Sequence, residues 1–170
     1  MAAMTVSVDE AVTDLYREQR LSMLRLAVFL VGDRHVAEEL VQDAFAQLYR
    51  RWSALEDKAA AVGYLRTSVV NAARSVYRRR DTARRHLRVA EPDLSPEPDY
   101  ALLLAEEHRE VLEALHQLPR RQREVLVLRY WSELTEAEIA RTLSISRGTV
   151  KSSASRALDA LERVLKGDRR

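Results

Sequence analysis

The sequence of 170 residues contains no cysteine, and it has only four glycines and four prolines. The lack of cysteine excludes disulfides, thiolate nucleophiles and cysteine-based zinc sites, as is usual in a reducing cytosol. The scarcity of glycine and proline leaves long stretches rich in Ala, Leu, Arg and Glu, and no stretch shows the period-2 pattern of a strand. The sequence therefore predicts an all-α protein.

Long apolar runs are also missing, because no uncharged stretch approaches the roughly 18 residues that a membrane span needs. We expect no membrane insertion and a cytoplasmic location. The formal net charge is only +2, and nearly all cations are arginines, the lysines being Lys58, Lys151 and Lys166. A nearly neutral chain neutralises few phosphates, so any binding to nucleic acid must use local arginine-rich patches.

Three helices are predicted in the first part of the chain. A capping box at Ser7 and Glu10 begins the first helix, Gly32 ends it, and Asp33 is placed to cap the second helix. A third helix is predicted from about Ala60 to Arg80. These helices define a predicted domain over residues 8–80.

A proline-rich stretch separates this domain from the rest of the chain. Residues 81–100 begin basic and end acidic, and they include Pro92, Pro96 and Pro98, which forbid regular structure. We interpret the stretch as an extended linker, with a plain tether as the alternative. A second domain over residues 101–166 follows, with helical segments predicted at 101–118, 119–131, 135–143 and 146–166.

The second domain contains the layout of a helix-turn-helix. A short helix carries Ile139 and Leu143 inward, residues 144–146 form the turn, and a longer helix follows. The side chains expected to be buried on that longer helix are Val150, Ala154, Ala157, Leu158 and Leu161. The exposed face carries candidate donors to DNA phosphates and bases, namely Arg147, Thr149, Lys151, Ser152, Ser155 and Arg156. A plain helical hairpin with a solvated basic face is the alternative.

Two helices of the first domain have unusual exposed faces. The second helix presents Glu39, Gln42 and Asp43, where two like charges four residues apart favour a basic partner surface. The third helix is expected to bury Val62, Leu65, Val69, Ala73 and Val76. Its opposite face mixes an aromatic ring, an amide and arginines, as single-stranded nucleic acid requires: Tyr64, Thr67, Asn71, Arg74, Ser75 and Arg78. Each face could instead be only solvated.

Several motifs carry a family resemblance. The segment AEELVQDAF at 37–45, with Tyr64, Asn71 and the arginines at 78–80, resembles region 2 of the extracytoplasmic-function sigma factors of the sigma-70 family. The pieces LP at 118–119, QREV at 122–125, EIA at 138–140 and SRGTVKS at 146–152 resemble region 4 of that family. The sequence AAVG at 60–63, and Val70 at the position before Asn71 where the family commonly has an arginine, are most similar to a sigma-E-like branch from actinobacteria.

The resemblance implies an RNA polymerase sigma factor that directs promoter-specific initiation and has no catalytic residue, cofactor or metal. It implies polymerase contacts to the β′ clamp helices through Glu39, Gln42, Asp43 and Gln47, with the second domain near the β flap. It implies reading of the minus-10 element by Asp57, Lys58, Tyr64, Thr67, Asn71, Arg74 and Arg78, and of the minus-35 element by the helix-turn-helix. The linker would enter the polymerase cleft, and the protein would join the nucleoid within the holoenzyme. Whether an anti-sigma factor masks these surfaces is left open.

Two other functional classes remain as alternatives. An ordinary helix-turn-helix repressor or activator would bind duplex DNA alone and would have no use for the polar faces of the first domain. An enzyme is disfavoured because the four histidines show no metal-like pairing and no glycine-rich phosphate loop is present. Each histidine is expected on a helix surface: His35, His86, His108 and His116.

Overall fold

The computed structural model describes residues 7–86 and 106–167, and these ranges contain seven α-helices and no strand. The all-α fold with two helical modules is therefore confirmed. The helices are α1 (Val8–Val31), α2 (Arg34–Arg51), α3 (Ala61–His86), α4 (Glu106–Gln117), α5 (Arg120–Tyr130), α6 (Glu136–Leu143) and α7 (Arg147–Gly167). Residues 87–105 lie outside the described residues. They include most of the predicted linker and the start of the predicted second domain.

The ends of α1 form as the sequence predicts. The Ser7 hydroxyl accepts a hydrogen bond from Glu10 N at 3.2 Å, and the Glu10 carboxylate accepts one from Ser7 N at 3.1 Å. Gly32 ends the helix at φ 72°, a left-handed conformation that glycine adopts without a Cβ penalty. Asp33 then accepts a hydrogen bond from Val36 N at 3.0 Å and begins α2. Caps of this kind each contribute about 1 kcal/mol.

Helix α3 runs to His86, six residues beyond the predicted end at Arg80. Residues 81–86 contain no glycine or proline, so nothing in their backbone stops the helix. The Thr82 hydroxyl donates to the Arg78 carbonyl at 2.9 Å. The last turn contains Arg84 and Arg85, whose positive side chains favour a helix C-terminus.

The first module, residues 7–86, is a bundle in which α1, α2 and α3 all contact one another. Its core includes Leu48, Leu65 and Val69, each with no exposed surface. The ring of Tyr16 meets Phe45 edge-on at 4.9 Å between centroids. Full burial of such aliphatic side chains contributes roughly 1.5–3 kcal/mol each, so packing rather than helix propensity holds the bundle.

The second module, residues 106–167, wraps α4, α6 and α7 around α5. Residues 125–128 of α5 are buried without a break, because this helix is enclosed on all sides. Thr135 and Glu138 form the predicted capping box at the start of α6. Ser144 ends α6 in a left-handed conformation at φ 54° and begins the turn into α7.

The two modules also pack directly against each other. Helix α1 contacts α4 and α5, and α3 contacts α6, so the buried side chains of both modules form one continuous cluster. We call these contacts the inter-module contact. The prediction of two helical domains joined by a linker did not include this contact.

Candidate nucleic-acid interface

The N-terminal turn of α7 is held by a short serine cap. Ser146 Oγ accepts a hydrogen bond from Thr149 N at 3.0 Å and lies 2.8 Å from Thr149 Oγ1. Ile145 N donates to the Ala140 carbonyl at 3.0 Å, which ties the turn back to α6. The two helices of the helix-turn-helix are therefore fixed relative to each other, with the positive end of α7 toward solvent.

The candidate DNA-binding side chains of α7 share its outer face. Arg147, Lys151 and Arg156 are exposed, and within the described ranges no carboxylate pairs with them. Thr149 is half-buried and joins the serine cap, while the Ser152 hydroxyl donates to the Thr149 carbonyl at 3.2 Å. Ser155 is exposed on the same face. Three unpaired cations next to a helix N-terminus can bind phosphate and base edges.

The buried face of α7 differs from the prediction at Leu158, which is exposed, and at Leu161, which is only half-buried. Leu158 is 42% exposed, whereas Ser153 is buried beside Val150 and Ala154. Residues 150, 153, 154 and 157 follow the helical repeat and face α5. Leu158 is turned about 100° from its neighbour Ala157, so it lies at the edge of this face. The expectation that Leu158 is buried was wrong.

The polar face of α2 is solvent-exposed at all four residues that the sequence singled out. Glu39, Gln42, Asp43 and Gln47 are exposed, while Leu40 and Ala44 between them are buried. Asp43 and Gln47 also line a groove of about 790 Å³ between α2 and α3. The candidate polymerase-binding face therefore adjoins the candidate DNA-binding face along this groove.

The far wall of the groove is formed by α3 and carries three of the candidate minus-10 residues. Tyr64, Thr67 and Asn71 line it. Three arginines line it as well, namely Arg50, Arg51 and Arg79. None of these three arginines was predicted as a site residue, although Arg51 lies two steps of four residues after Asp43, and Arg79 lies two such steps after Asn71. An aromatic ring, an amide and arginines in one groove suit an unstacked nucleotide strand.

Two further candidates lie in the turn between α2 and α3 and take part in its local structure. Asp57 accepts a hydrogen bond from Ala59 N at 2.9 Å. The Lys58 ammonium donates to the Trp52 carbonyl and lies 4.9 Å from the centre of the Trp52 ring. Both side chains are exposed, so they combine a role in the turn with access to solvent.

Arg74 does not lie in the groove with Tyr64 and Asn71. Its Nε and Nη2 donate to the two carboxylate oxygens of Glu124 in α5, each at 2.9 Å. The side chain of Arg74 is only 20% exposed. Arg78 is exposed and donates to Ser75 Oγ at 2.9 Å. The structure thus separates Arg74 from the face to which the sequence assigned it, because α3 has a second buried side toward the second module.

Among the histidines whose side chains the structure describes, His35, His86 and His116, the surroundings of His116 differ clearly from the prediction. It is largely buried between α4 and α5, with Nδ1 at 2.9 Å from Nη1 of Arg123. Its pKa is lowered to about 4, first by burial and then by the positive charges of Arg123 and Arg80. The expectation of a surface histidine was wrong here because Arg123 and Arg80 come from helices that the local pattern could not associate with it.

Neither a metal-binding cluster nor a membrane-spanning helix is found in residues 7–86 and 106–167. No group of three or more His, Asp or Glu side chains in these ranges is placed to bind a metal ion. None of their helices has the length of apolar sequence that a bilayer crossing demands.

Comparisons with known proteins match both modules. The family described as Sigma-70 region 2 matches residues 15–83, and that described as Sigma-70, region 4 matches residues 108–161. RNA polymerase sigma-E factor of Streptomyces coelicolor is 36% identical over 150 residues, covering 88% of this chain and 82% of the relative. The sigma-E factor of Streptomyces antibioticus is 33% identical over 156 residues, covering 89% and 83%.

Solved structures share the arrangement. The sigma factor RpoE of Bartonella quintana, in complex with the anti-sigma factor NepR, aligns with a TM-score of 0.76 at 25% identity, covering 91% of this chain and 98% of that one. CnrH in complex with the cytosolic domain of CnrY has a TM-score of 0.68 at 18% identity and shares the fold.

Proposed function

The chain belongs to the sigma-70 family of RNA polymerase sigma factors, in its extracytoplasmic-function, sigma-E-like branch, and from that premise we propose how its surfaces divide promoter recognition. The protein is a specificity subunit for transcription initiation and not an enzyme. One observation carries the division of roles: the chain combines a helix suited to duplex DNA with a groove suited to a single strand.

The minus-35 element is read as duplex DNA by the first half of α7. Arg147, Lys151 and Arg156 supply the positive charge, and the helix N-terminus adds its own dipole. Asp159 lies on the same helix further along and repels phosphate, so only the N-terminal half enters the major groove. Each correct bidentate contact to a base contributes roughly 1–3 kcal/mol of discrimination.

The minus-10 element is bound as a single strand along the groove of the first module. Tyr64 offers a ring for stacking, Asn71 offers an amide for base edges, and Arg79 offers a cation for the backbone. Stacking contributes roughly 1–3 kcal/mol per base, which offsets the few kcal/mol that extruding one base costs. Asp57, Lys58, Thr67 and Arg78 belong to the same proposed surface.

The polymerase core is bound through the α2 face of Glu39, Gln42, Asp43 and Gln47. These side chains form an exposed acidic and amide row, which suits the basic surface that we propose on the β′ clamp helices. The second module lies near the β flap in this arrangement. The part of the predicted linker that follows α3, residues 87–100, enters the polymerase cleft. The protein is located in the cytoplasm, with the nucleoid, when in holoenzyme.

A regulatory partner of the anti-sigma class also fits the chain. The solved relative RpoE is in complex with such a protein, and this chain aligns with it over 91% of its residues. We extend that partner class to this protein because both modules align together.

The proposed function is tested by run-off transcription with purified core polymerase on genomic fragments. Core plus this protein is expected to give transcripts with discrete start sites that core alone does not give. The protein alone is expected to bind duplex fragments weakly, because its net charge of +2 neutralises few phosphates. Tight binding to a duplex operator without polymerase, and no start-site selection with it, would contradict the proposal.

A further inference from the structure

Glycine is rare in this chain, and the fold explains only two of the four glycines. Gly32 ends α1 at φ 72°, in a left-handed conformation that favours glycine. Gly167 is the last residue of α7, and glycine is common where helices end. Gly63 and Gly148 instead lie within α3 and α7, and neither has a positive φ. Their backbone conformations therefore do not require glycine.

Packing does not require glycine at these two residues either. Apart from its neighbours in the chain and the backbone of its own helix, an added Cβ atom at Gly63 would meet nothing within 4 Å in the described ranges. At Gly148 the nearest atom by the same measure is Ser146 Oγ, at 3.8 Å, an ordinary van der Waals distance. Both glycines are solvent-exposed. Alanine would fit at either residue, and it would stabilise the helix because it loses less backbone entropy on folding.

Each of these two glycines lies among residues of a proposed DNA-binding surface. Gly63 lies between Lys58 and Tyr64 in the chain, within the surface proposed for the minus-10 element. Gly148 directly follows Arg147, within the surface of α7 proposed for the minus-35 element. The two glycines that the fold does not explain are therefore both at proposed contacts with DNA.

A surface glycine allows a partner to come closer to the backbone than any other residue does. Without a Cβ atom the peptide group is open to contact, so glycine is typical where a backbone meets a ligand. Promoter DNA fits this requirement at both residues, because a helix in the major groove and a strand along α3 each bring sugars and phosphates against a helix surface. The need for glycine therefore lies in the partner rather than in the fold.

We propose that Gly63 and Gly148 are points of close approach, where promoter DNA packs directly against the helix backbone of each module. Gly148 admits the sugar–phosphate backbone of the minus-35 duplex, and Gly63 admits the single strand of the minus-10 element. The inference rests on the proposed function for the assignment of each element to its helix. It adds that both helices are less stable than alanine would make them, because contact with DNA requires the space.

The first measurement is the thermal stability of the free protein, followed by circular dichroism. Gly63→Ala and Gly148→Ala are each expected to raise the midpoint of thermal unfolding by about 1–3 °C. The physical reason is that alanine restricts the unfolded chain and fits the folded helix without a clash. A midpoint that fails to rise in either variant would show that the fold itself requires that glycine, and would overturn the proposal for it.

The second measurement is promoter binding by the holoenzyme, on a promoter that run-off transcription has identified. Binding is compared between fragments with an intact and a scrambled minus-35 element, and between fork fragments with an intact and a scrambled single-stranded minus-10 element. Gly148→Ala is expected to lower the minus-35 preference at least fivefold and to leave the minus-10 preference unchanged. Gly63→Ala is expected to do the reverse, so each variant is the control for the other. Wild-type preferences in either variant would overturn the proposal for that residue.

Side-chain size distinguishes close approach from other effects of the substitution. Gly148→Met has an unbranched side chain that suits a helix, and its larger volume should keep the duplex further from α7. Its minus-35 preference should therefore fall further than that of Gly148→Ala. Gly167→Ala adds the same methyl group at the other end of α7 and should change neither preference. A methionine variant that binds at least as well as the alanine variant would overturn the proposal for Gly148.

The proposed function is tested apart from this inference by Arg147→Ala with Lys151→Ala. If that double variant loses its minus-35 preference while Gly148→Ala keeps it, only the close approach is wrong. If both keep the preference, the assignment of α7 to the minus-35 element is wrong as well. Co-purification with core polymerase separates the two possible partners at Gly63. Weaker core binding by Gly63→Ala would place the polymerase there instead of DNA, and would overturn the proposal for that residue.

Discussion

The side chains of His116 and Arg123 are hydrogen-bonded at the inter-module contact, with Nδ1 of the imidazole 2.9 Å from Nη1 of the guanidinium. The guanidinium can only donate, so His116 Nδ1 accepts, and the imidazole is neutral with its proton on Nε2. Arg80 is the other cation whose charge acts on this ring. A second proton on His116 would therefore add a third positive charge to a buried site.

Stability should fall as the solution becomes acidic. The folded pKa of His116 is about 4, below its ordinary value of 6.5, so between these values the unfolded state binds the additional proton. The stabilising contribution is complete above pH 6.5 and is lost as the pH falls toward 4, by about 3 kcal/mol at most. Urea unfolding at pH 7.5, 6.5, 5.5 and 4.5 measures the change.

The histidine is isolated by substitution. His116→Gln keeps an acceptor for Arg123 but cannot be protonated, so its free energy of unfolding should decrease less over this range. His35→Gln, at an exposed residue of α2, should keep the wild-type pH dependence. Equal pH dependence in His116→Gln and wild type would show that His116 is not responsible.

Removal of two cations from α7 should abolish dependence on the minus-35 element. Arg147→Ala with Lys151→Ala removes two proposed phosphate or base contacts, so the slope of log affinity against log salt should decrease by about 1.8. Co-purification with polymerase should stay at the wild-type level. Filter binding of the holoenzyme to promoter fragments across a salt series measures the slope.

The control for this pair lies on the same helix. Arg163→Ala removes one exposed cation near the other end of α7, where the side chain donates to the Asp159 carbonyl. It should leave both the salt slope and promoter selectivity unchanged. Simultaneous loss of polymerase binding in the double variant would show that the proposed division between the modules is wrong.

Reversal of the charge at Asp43 should weaken binding to the polymerase core. Asp43→Arg places a cation in the exposed acidic row of α2, and a basic partner surface would repel it. We expect at least a tenfold weaker affinity, or about 1.4 kcal/mol, by titration with labelled protein. Glu18→Arg makes the same reversal on the exposed side of α1 and should bind as wild type. Unchanged co-purification of Asp43→Arg would contradict the proposed role of this face.

Loss of the α6 cap should destabilise the second module. Thr135 Oγ1 accepts a hydrogen bond from Glu138 N at 3.3 Å, and the Glu138 carboxylate accepts one from Thr135 N at 2.8 Å. Thr135→Ala should lower the free energy of unfolding by about 1 kcal/mol, measured with urea. Thr13→Ala, at an exposed residue of α1 beyond its first turn, should change it by less than about 0.5 kcal/mol. Equal effects from both variants would remove the cap as the cause.

The local parts of the fold could be predicted because their causes are local in sequence. Ser7, Gly32, Asp33 and Thr135 act within four residues of their own positions, and the structure confirms their roles in starting or ending helices. The exposed row on α2 follows from the helical repeat in the same way. Such features depend on backbone geometry that every helix shares.

The inter-module contact could not be predicted from these patterns. Arg74 and Glu124 are 50 residues apart, and the hydrophobic repeat of α3 indicates only its main buried side. Val70 belongs to no predicted stripe, yet it is fully buried. Arg74 appears polar in sequence, and the packing of the second module against it covers most of its side chain, which is 20% exposed. The error at Leu158 has a similar origin, since the width of a buried face depends on its neighbours.

The unbroken helix α3 also determines where the chain leaves the first module. Its 26 residues extend about 39 Å from Ala61, so the linker begins at the end of the rod distant from Tyr64. One residue inserted within 78–86 would turn the point of departure by about 100°, whereas a change in the linker itself would not. The helical rotation at the end of α3 therefore determines the direction in which the chain leaves the first module.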